Sequence, residues 1–368
     1  MLIIKESDVK KLISLKEVID INEQVFIKES KEEVVCPERI ILPVEKTQPQ
    51  QDSNEPINKK QLVGNLYFKP SLVVDESVGI KIVGTFANNA NKGLPTVPAT
   101  IILNDIETGL ANAVIGATYI TGARTAAGSA ISVKYLATES PETIFVFGSS
   151  LQAQLHIEMI LLLKPTIKKV YISSRSKENV DKLIIQLKNE NNYNNDAVEF
   201  NYCAATGAGD DKDIINRYLL EADIIVTATS SNEPLFNGHE VLSEKQRDFK
   251  KKPLLICAVG SSRPTNRELD SFTISNSNLI VDDVNSCMVS GELFIPINKE
   301  NIITKSHILG KLSDVVSGKY KQQTTTTTSK SITVYKSSGT AIQDVATANY
   351  IYKKALQNNI GYNININD

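Results

Sequence analysis

Residues 142–163, ETIFVFGSSLQAQLHIEMILLL, set the reading of this chain. Residues 143–147 form a continuous apolar run of strand length, Gly148 opens a sharp turn, and an apolar-faced helix follows over about 151–163. This is the strand–turn–helix that opens a dinucleotide-binding fold. In it, free N–H groups of the first helical turn and the positive end of the helix dipole hold a pyrophosphate. Gly148, Ser149, Ser150, Leu151 and Gln152 are the expected cradle, with Ala153 at the third glycine position of Gly-x-Gly-x-x-Gly/Ala. Ser150 stands where the second glycine belongs, and a side chain there is expected to weaken phosphate binding rather than abolish it. An ordinary βα turn explains the motif alone equally well, so the surrounding chain decides.

From Thr121 onward strand and helix alternate. Strands are expected near 143–147, 169–173, 198–202, 223–228, 253–259 and 278–281, and helices near 151–163, 178–189, 211–221, 238–246, 265–273 and 284–290. That pattern predicts a doubly wound parallel sheet of order 3-2-1-4-5-6. Upstream, a helix over 7–29 precedes a proline-bounded strand within 36–43 and strand-like runs at 65–68, 72–74, 80–86, 100–103 and 113–117, read as a mostly antiparallel sheet with helices on it. A strand at 332–335 and a helix over 338–356 close the chain, and both are expected to return to the first domain because six strands complete the parallel sheet. The fold class is therefore α/β: a Rossmann domain over 123–330, plus a discontinuous α+β domain of 1–122 with 331–368. The polar segment 45–61 reads as a flexible insertion, 189–196 as a polar loop, and the threonine-rich 322–330 as a disordered, solvated loop.

The second strand runs into Ser174-Arg175-Ser176-Lys177. An NAD site places Asp or Glu there for the ribose hydroxyls. Two cations and two hydroxyls instead suit a 2′-phosphate, so NADP(H) is the preferred cofactor and NAD(H) the alternative. Thr227, Ala228 and Thr229 follow the fourth strand, and Val259 and Gly260 end the fifth. Both loops belong to the carboxyl edge, on the nicotinamide side.

Bulk properties bound the rest. At 368 residues, two domains are natural, and net charge −2 gives no reason to expect nucleic acid or an anionic membrane as partner. No apolar run reaches spanning length, and MLIIKESDVKK turns polar too early for a signal peptide. Four scattered cysteines without a CxxC pair indicate a reduced, cytoplasmic protein, and three distant histidines argue against a metal site.

Seven blocks in order, among them ATYITGARTAAGSA (117–130), ICAVGSSRPTNRELD (256–270), IVDDVNSCMVSGEL (280–293) and ITVYKSSGTAIQDVATANYIYKKA (332–355), make the chain resemble the ornithine cyclodeaminase/mu-crystallin family. The resemblance implies a homodimer in which the discontinuous domain binds substrate and dimerises, and hydride transfer at the C–N centre of a small amino or imino acid. By position, Arg39, Lys81 and Arg124 correspond to the family's substrate cluster. A carboxylate substrate needs such cations, and a strand lysine among apolar neighbours suits proton transfer, so Lys81 and Arg124 are the expected catalytic pair. Members that cyclodeaminate ornithine carry an aspartate at the position of Ser262, and serine cannot act unaided as that base. The GSSRP form resembles the mu-crystallin, ketimine-reducing branch. Reduction of an imino acid is therefore expected, with Ser262 lining the substrate. Cyclodeamination of ornithine to proline stands second and alanine-dehydrogenase-like amination third. A non-catalytic NADP(H)-dependent ligand binder is the alternative from another class.

Overall fold

The computed structural model describes residues 1–47, 60–190, 198–205, 210–242, 253–320 and 331–366. The insertion expected within 45–61, the loop at 189–196 and the threonine run at 322–330 fall wholly or largely outside these residues. Two units divide the chain: Met1–Ser14, Lys31–Arg124 and Thr340–Asp368 form one, Leu15–Ser30 and Thr125–Gly339 the other.

The second unit is built outward from Thr143–Phe147, buried at every position. Lys169–Ser174 pairs on one side of it and Ile224–Thr227 on the other, both parallel. Among the described residues the sheet has eight strands, in the order Glu199–Ala204, Lys169–Ser174, Thr143–Phe147, Ile224–Thr227, Leu254–Ala258, Ile332–Lys336, Asn278–Val281, Ile308–Lys311. The expected order 3-2-1-4-5 holds for the first five strands. The sixth does not pair with the fifth. Ile332–Lys336 sits between Leu254–Ala258 and Asn278–Val281, parallel to both. All five of its residues are buried, as a central strand with both faces covered requires. The tail strand thus belongs to the parallel sheet of the second unit, correcting the expectation that it joins the first domain. The edge strand Ile308–Lys311 was not foreseen.

The helix expected over 7–29 is also divided, into Glu6–Leu12 and Leu15–Ser30. Leu15–Ser30 packs on Leu151–Leu163 and Leu312–Val316, so it belongs to the second unit. Val18, Ile19, Val25 and Phe26 are its buried face, and burying each side chain contributes about 1.5–3 kcal/mol, which sets the grouping more strongly than sequence proximity. The helix expected over 265–273 is shorter and later, Ser271–Ser275, where the Asp270 side chain caps it by accepting from Thr273 N–H.

Among the described residues the first unit holds a second eight-stranded sheet, in which Leu2–Ile4, Ala111–Gly116, Ala99–Asn104, Ser77–Thr85 and Lys60–Val73 follow one another. Its pairings are antiparallel except Leu2–Ile4 with Ala111–Gly116. Ile40–Thr47 pairs with Lys60–Val73, so residues at both ends of 45–61 are ladder rather than loop. Period-two alternation turns Tyr67, Lys69, Ser71 and Val73 inward on one strand, and Ser77, Gly79, Lys81 and Val83 on the next. Helix Ala341–Gln357 packs across these strands.

Candidate active site

The turn after Thr143–Phe147 carries one conformation that only glycine adopts readily. Gly148 has φ +119°. Its N–H donates to Ser173 O at 2.9 Å, and a Cβ there would lie 2.7 Å from Ala228 O. Ser150 has φ −89° and ψ 177°, ordinary extended backbone, and is the N-cap residue of Leu151–Leu163 without a side-chain cap hydrogen bond. The backbone at this position therefore does not demand glycine's conformational freedom, and the weakening expected from Ser150 rests only on its side chain beside the phosphate. The uncapped helix start and the close approach at Gly148 fit a pyrophosphate, with the Ser149–Gln152 N–H groups as its holders. Ser149 Oγ is 2.9 Å from Ser174 Oγ, which joins the turn to the end of the second strand. Arg175 is exposed. Lys177 pairs with Asp181 at 2.7 Å on the surface, a link worth only a few tenths of a kcal/mol and readily exchanged for a phosphate. No carboxylate occupies 174–177.

The two carboxyl-edge loops are tied together by a residue the sequence did not single out. Glu268 is fully buried, and both its oxygens accept two hydrogen bonds. Thr229 N–H and Oγ1 donate to Oε1 at 2.6 and 2.7 Å, while Thr227 Oγ1 and Gly260 N–H donate to Oε2, both at 2.8 Å. The threonine hydroxyls expected to face the cofactor thus brace one loop against the other. Val259 N–H donates to Thr227 O at 3.0 Å in the same join, and Ala228 N–H to Phe147 O at 2.9 Å. Burial, and then the nearby Glu292, push the Glu268 carboxyl up. Lys336, also fully buried, lies 3.5 Å from Glu292 and donates to Ser261 O at 2.6 Å. Ser262, next in the chain, is half-buried.

In the first unit Lys81 and Arg124 meet as expected. They do so through Asp344, which the sequence reading left out. Asp344 Oδ1 accepts from Lys81 Nζ at 2.6 Å and from Arg124 Nε at 2.7 Å. Lys69 Nζ lies 3.7 Å from Oδ2, and Thr121 Oγ1 3.3 Å from Lys81 Nζ. Lys69 stands directly opposite Lys81 in the ladder. Ile40 stands opposite Phe68 at the end of the ladder between Ile40–Thr47 and Lys60–Val73, and half-buried Arg39 precedes it in the chain. Burial, then the Arg124 guanidinium, drive the Lys81 ammonium well below the lysine range, against the pull of Asp344. Burial alone would raise Asp344, but Arg124, Lys81 and Lys69 outweigh it and hold the carboxyl at about 2. Arg124 Nη1 is buried and has no hydrogen-bond partner among the described residues. That edge is an open donor for an anion.

The sequence profile of the ornithine cyclodeaminase/mu-crystallin family matches residues 2–359. The chain belongs to that family. A Delta(1)-pyrroline-2-carboxylate reductase of Bacillus cereus (strain ZK / E33L) is 28% identical over 367 residues, 99% of each chain. The solved Thermococcus litoralis Delta(1)-pyrroline-2-carboxylate reductase, in complex with NADH and L-proline, is 30% identical with TM-score 0.83, covering 99% of this chain and 100% of the other. An archaeal alanine dehydrogenase dimer with bound NAD is 25% identical with TM-score 0.82, covering 100% and 99%. The ornithine cyclodeaminase/mu-crystallin fold is thus present end to end, a Rossmann-like parallel sheet with a second sheet domain. Among the described residues no helix is long and apolar enough to cross a membrane, and no three His, Cys, Asp or Glu cluster to hold a metal ion.

Lys69 and Asp344 were nonetheless signalled. Lys69 shares its strand face with Tyr67 and Val73, and Asp344 lies on the helical stripe of Ala341, Ala348, Ile351 and Ala355. A charge in a core register is costly unless paired, so each marked a partner to be found.

Proposed function

We propose that the protein is an NAD(P)H-dependent imine reductase acting on a small cyclic or linear imino acid. The observation that carries this reading is the cation cluster around Asp344, with the buried Nη1 edge of Arg124 open. Arg124, aided by Arg39, holds the substrate carboxylate. Lys81, acidified by burial and by Arg124, gives its proton to the imine nitrogen. The reduced dinucleotide, when bound at the Gly148 turn, supplies the hydride to the imine carbon. The C=N bond thus gains one hydride and one proton and becomes CH–NH. The names of the pyrroline-2-carboxylate reductases agree with this substrate class. Half-buried Ser262 offers no carboxylate base, which speaks against cyclodeamination. A panel of cyclic imino acids, ornithine, and pyruvate with ammonia, read by NAD(P)H absorbance, tests the reading. The imino acids should be consumed fastest. Ammonia and proline formed from ornithine at a comparable rate would overturn it, as would tight binding without any turnover.

The NADP(H) preference rests on Arg175 and Lys177 after the second strand, with no acid within 174–177 and the surface Asp181 paired to Lys177. Arg175→Asp should lower the NADPH/NADH ratio of kcat/KM about tenfold to a hundredfold, the value of a charge-assisted hydrogen bond. An unmoved ratio removes the 2′-phosphate assignment. A reduced cytosolic setting fits the thiols, since burial pushes Cys203 up to about 11 and Cys257 to about 12 and leaves both unreactive.

A homodimer is the assembly that fits. On the face opposite Lys81, partly exposed Phe68, Ile80, Ile82 and Ile102 form cross-strand neighbours, flanked by exposed Ile40 to Leu42. An apolar sheet face of this extent marks an interface. Light scattering should give twice the chain mass, and Ile102→Glu should yield monomer. A monomeric wild type would sink this part.

A further inference from the structure

We propose that Asp344 is the positioning residue that keeps Lys81 charged and correctly placed for proton donation. The inference rests on the reading of Lys81 as donor. Asp344 lies in the first turn of Ala341–Gln357, where the helix dipole favours an acid. Thr340 and Gln343 form a capping box at that start, and Gln343 Nε2 donates to the Arg124 backbone O at 2.9 Å, so the helix and the Arg124 main chain are fixed to one another. The charged groups facing Lys81 are Asp344 from this helix, Arg124 from Thr118–Leu136 and Lys69 from Lys60–Val73, with the Thr121 hydroxyl beside it.

One carboxylate therefore answers three cations among buried side chains. One oxygen takes both Lys81 Nζ and Arg124 Nε, and this sharing has two effects. It turns the Arg124 fork so that Nη1 stays open for the substrate carboxylate. It also keeps a proton on Lys81 that burial and two neighbouring cations would otherwise expel. Without the Asp344 charge, Lys81 would enter the reaction as a neutral amine, able to accept a proton but not to donate one.

The test compares Asp344→Asn, Asp344→Glu and Lys81→Met in the full chain with NADPH and a cyclic imino acid. Reduction needs protonated Lys81, so activity is lost as pH rises through its titration. In D344N that upper limb of the kcat/KM–pH profile should move to lower pH by about one to three units, as loss of an adjacent opposite charge predicts. NADPH affinity, read by its fluorescence, should stay within about twofold. D344E keeps the charge, so its limb should stay near the wild-type position while kcat falls. A D344N protein of native circular dichroism whose limb coincides with wild type overturns the proposal while K81M inactivity leaves the donor reading standing. An active K81M overturns both. Should D344N fail to fold, a D344E limb displaced as far as predicted for D344N overturns the proposal, and an unmoved limb with lowered kcat supports it.

Discussion

Lys81→Met lowers imine reduction about 10²- to 10⁴-fold at neutral pH, the usual value of a placed general acid, and leaves dinucleotide affinity within about twofold. Methionine matches the length of the lysine stem, so the fully buried site keeps its volume. The change leaves Asp344 without Lys81, but Arg124 Nε at 2.7 Å and Lys69 at 3.7 Å still answer its charge. This retained compensation separates the substitution from one that strands a buried ion, which costs about 3–5 kcal/mol. Loss of turnover with retained fold is therefore the expected pairing. Lys81→Ala provides a chemical check, because it opens space where added methylamine can deliver the missing proton and restore part of the rate. Wild-type kcat in Lys81→Met would take the residue out of the mechanism.

The strand–turn–helix at 143–163 was legible because buried parallel strands and the Gly148 turn are written locally. The first five strands follow from the same alternation. Ile332–Lys336 was misplaced for a reason of counting: six strands looked complete, and nothing local in ITVYK says which sheet it joins. Its Thr, Tyr and Lys are all buried, so its membership is decided by neighbours distant in sequence, at 254–258 and 278–281. The break between Glu6–Leu12 and Leu15–Ser30 was hidden similarly, since one apolar periodicity runs through both helices while their packing partners differ.

In the site, the cations were easier to read than their carboxylates. Arg39, Lys81 and Arg124 were placed through resemblance. Asp344 and Glu268 are legible only where an acid breaks an apolar stripe or a loop pattern, and their roles depend on partners 263 and 41 residues away in sequence. Thr227 and Thr229 show the limit of motif reading. Their hydroxyls lie at the expected edge, but Glu268 takes both.

Gly148→Ala should weaken dinucleotide binding tenfold to a hundredfold and lower Tm by roughly 5 to 10 °C. At φ +119° an L side chain is strained by about 1–3 kcal/mol. The added Cβ also meets Ala228 O at 2.7 Å, a backbone atom with little freedom, because Ala228 N–H is bonded to Phe147 O. Relief requires either rotating the turn or separating the first and fourth strands. Either movement shifts the N–H groups at the start of Leu151–Leu163, so stability and phosphate binding fall together. For a domain of this size about 1 kcal/mol corresponds to 2–4 °C, which sets the Tm range. Ser150→Gly is the opposing control. A motif-based view expects restoring the second glycine to tighten binding. The backbone of Ser150 is already extended, φ −89°, so Ser150→Gly can tighten binding only by removing the side chain next to the phosphate, and its effect should be smaller than that of Gly148→Ala. Tighter binding in Ser150→Gly together with unaltered binding in Gly148→Ala would reverse the assignment of which residue shapes the cradle.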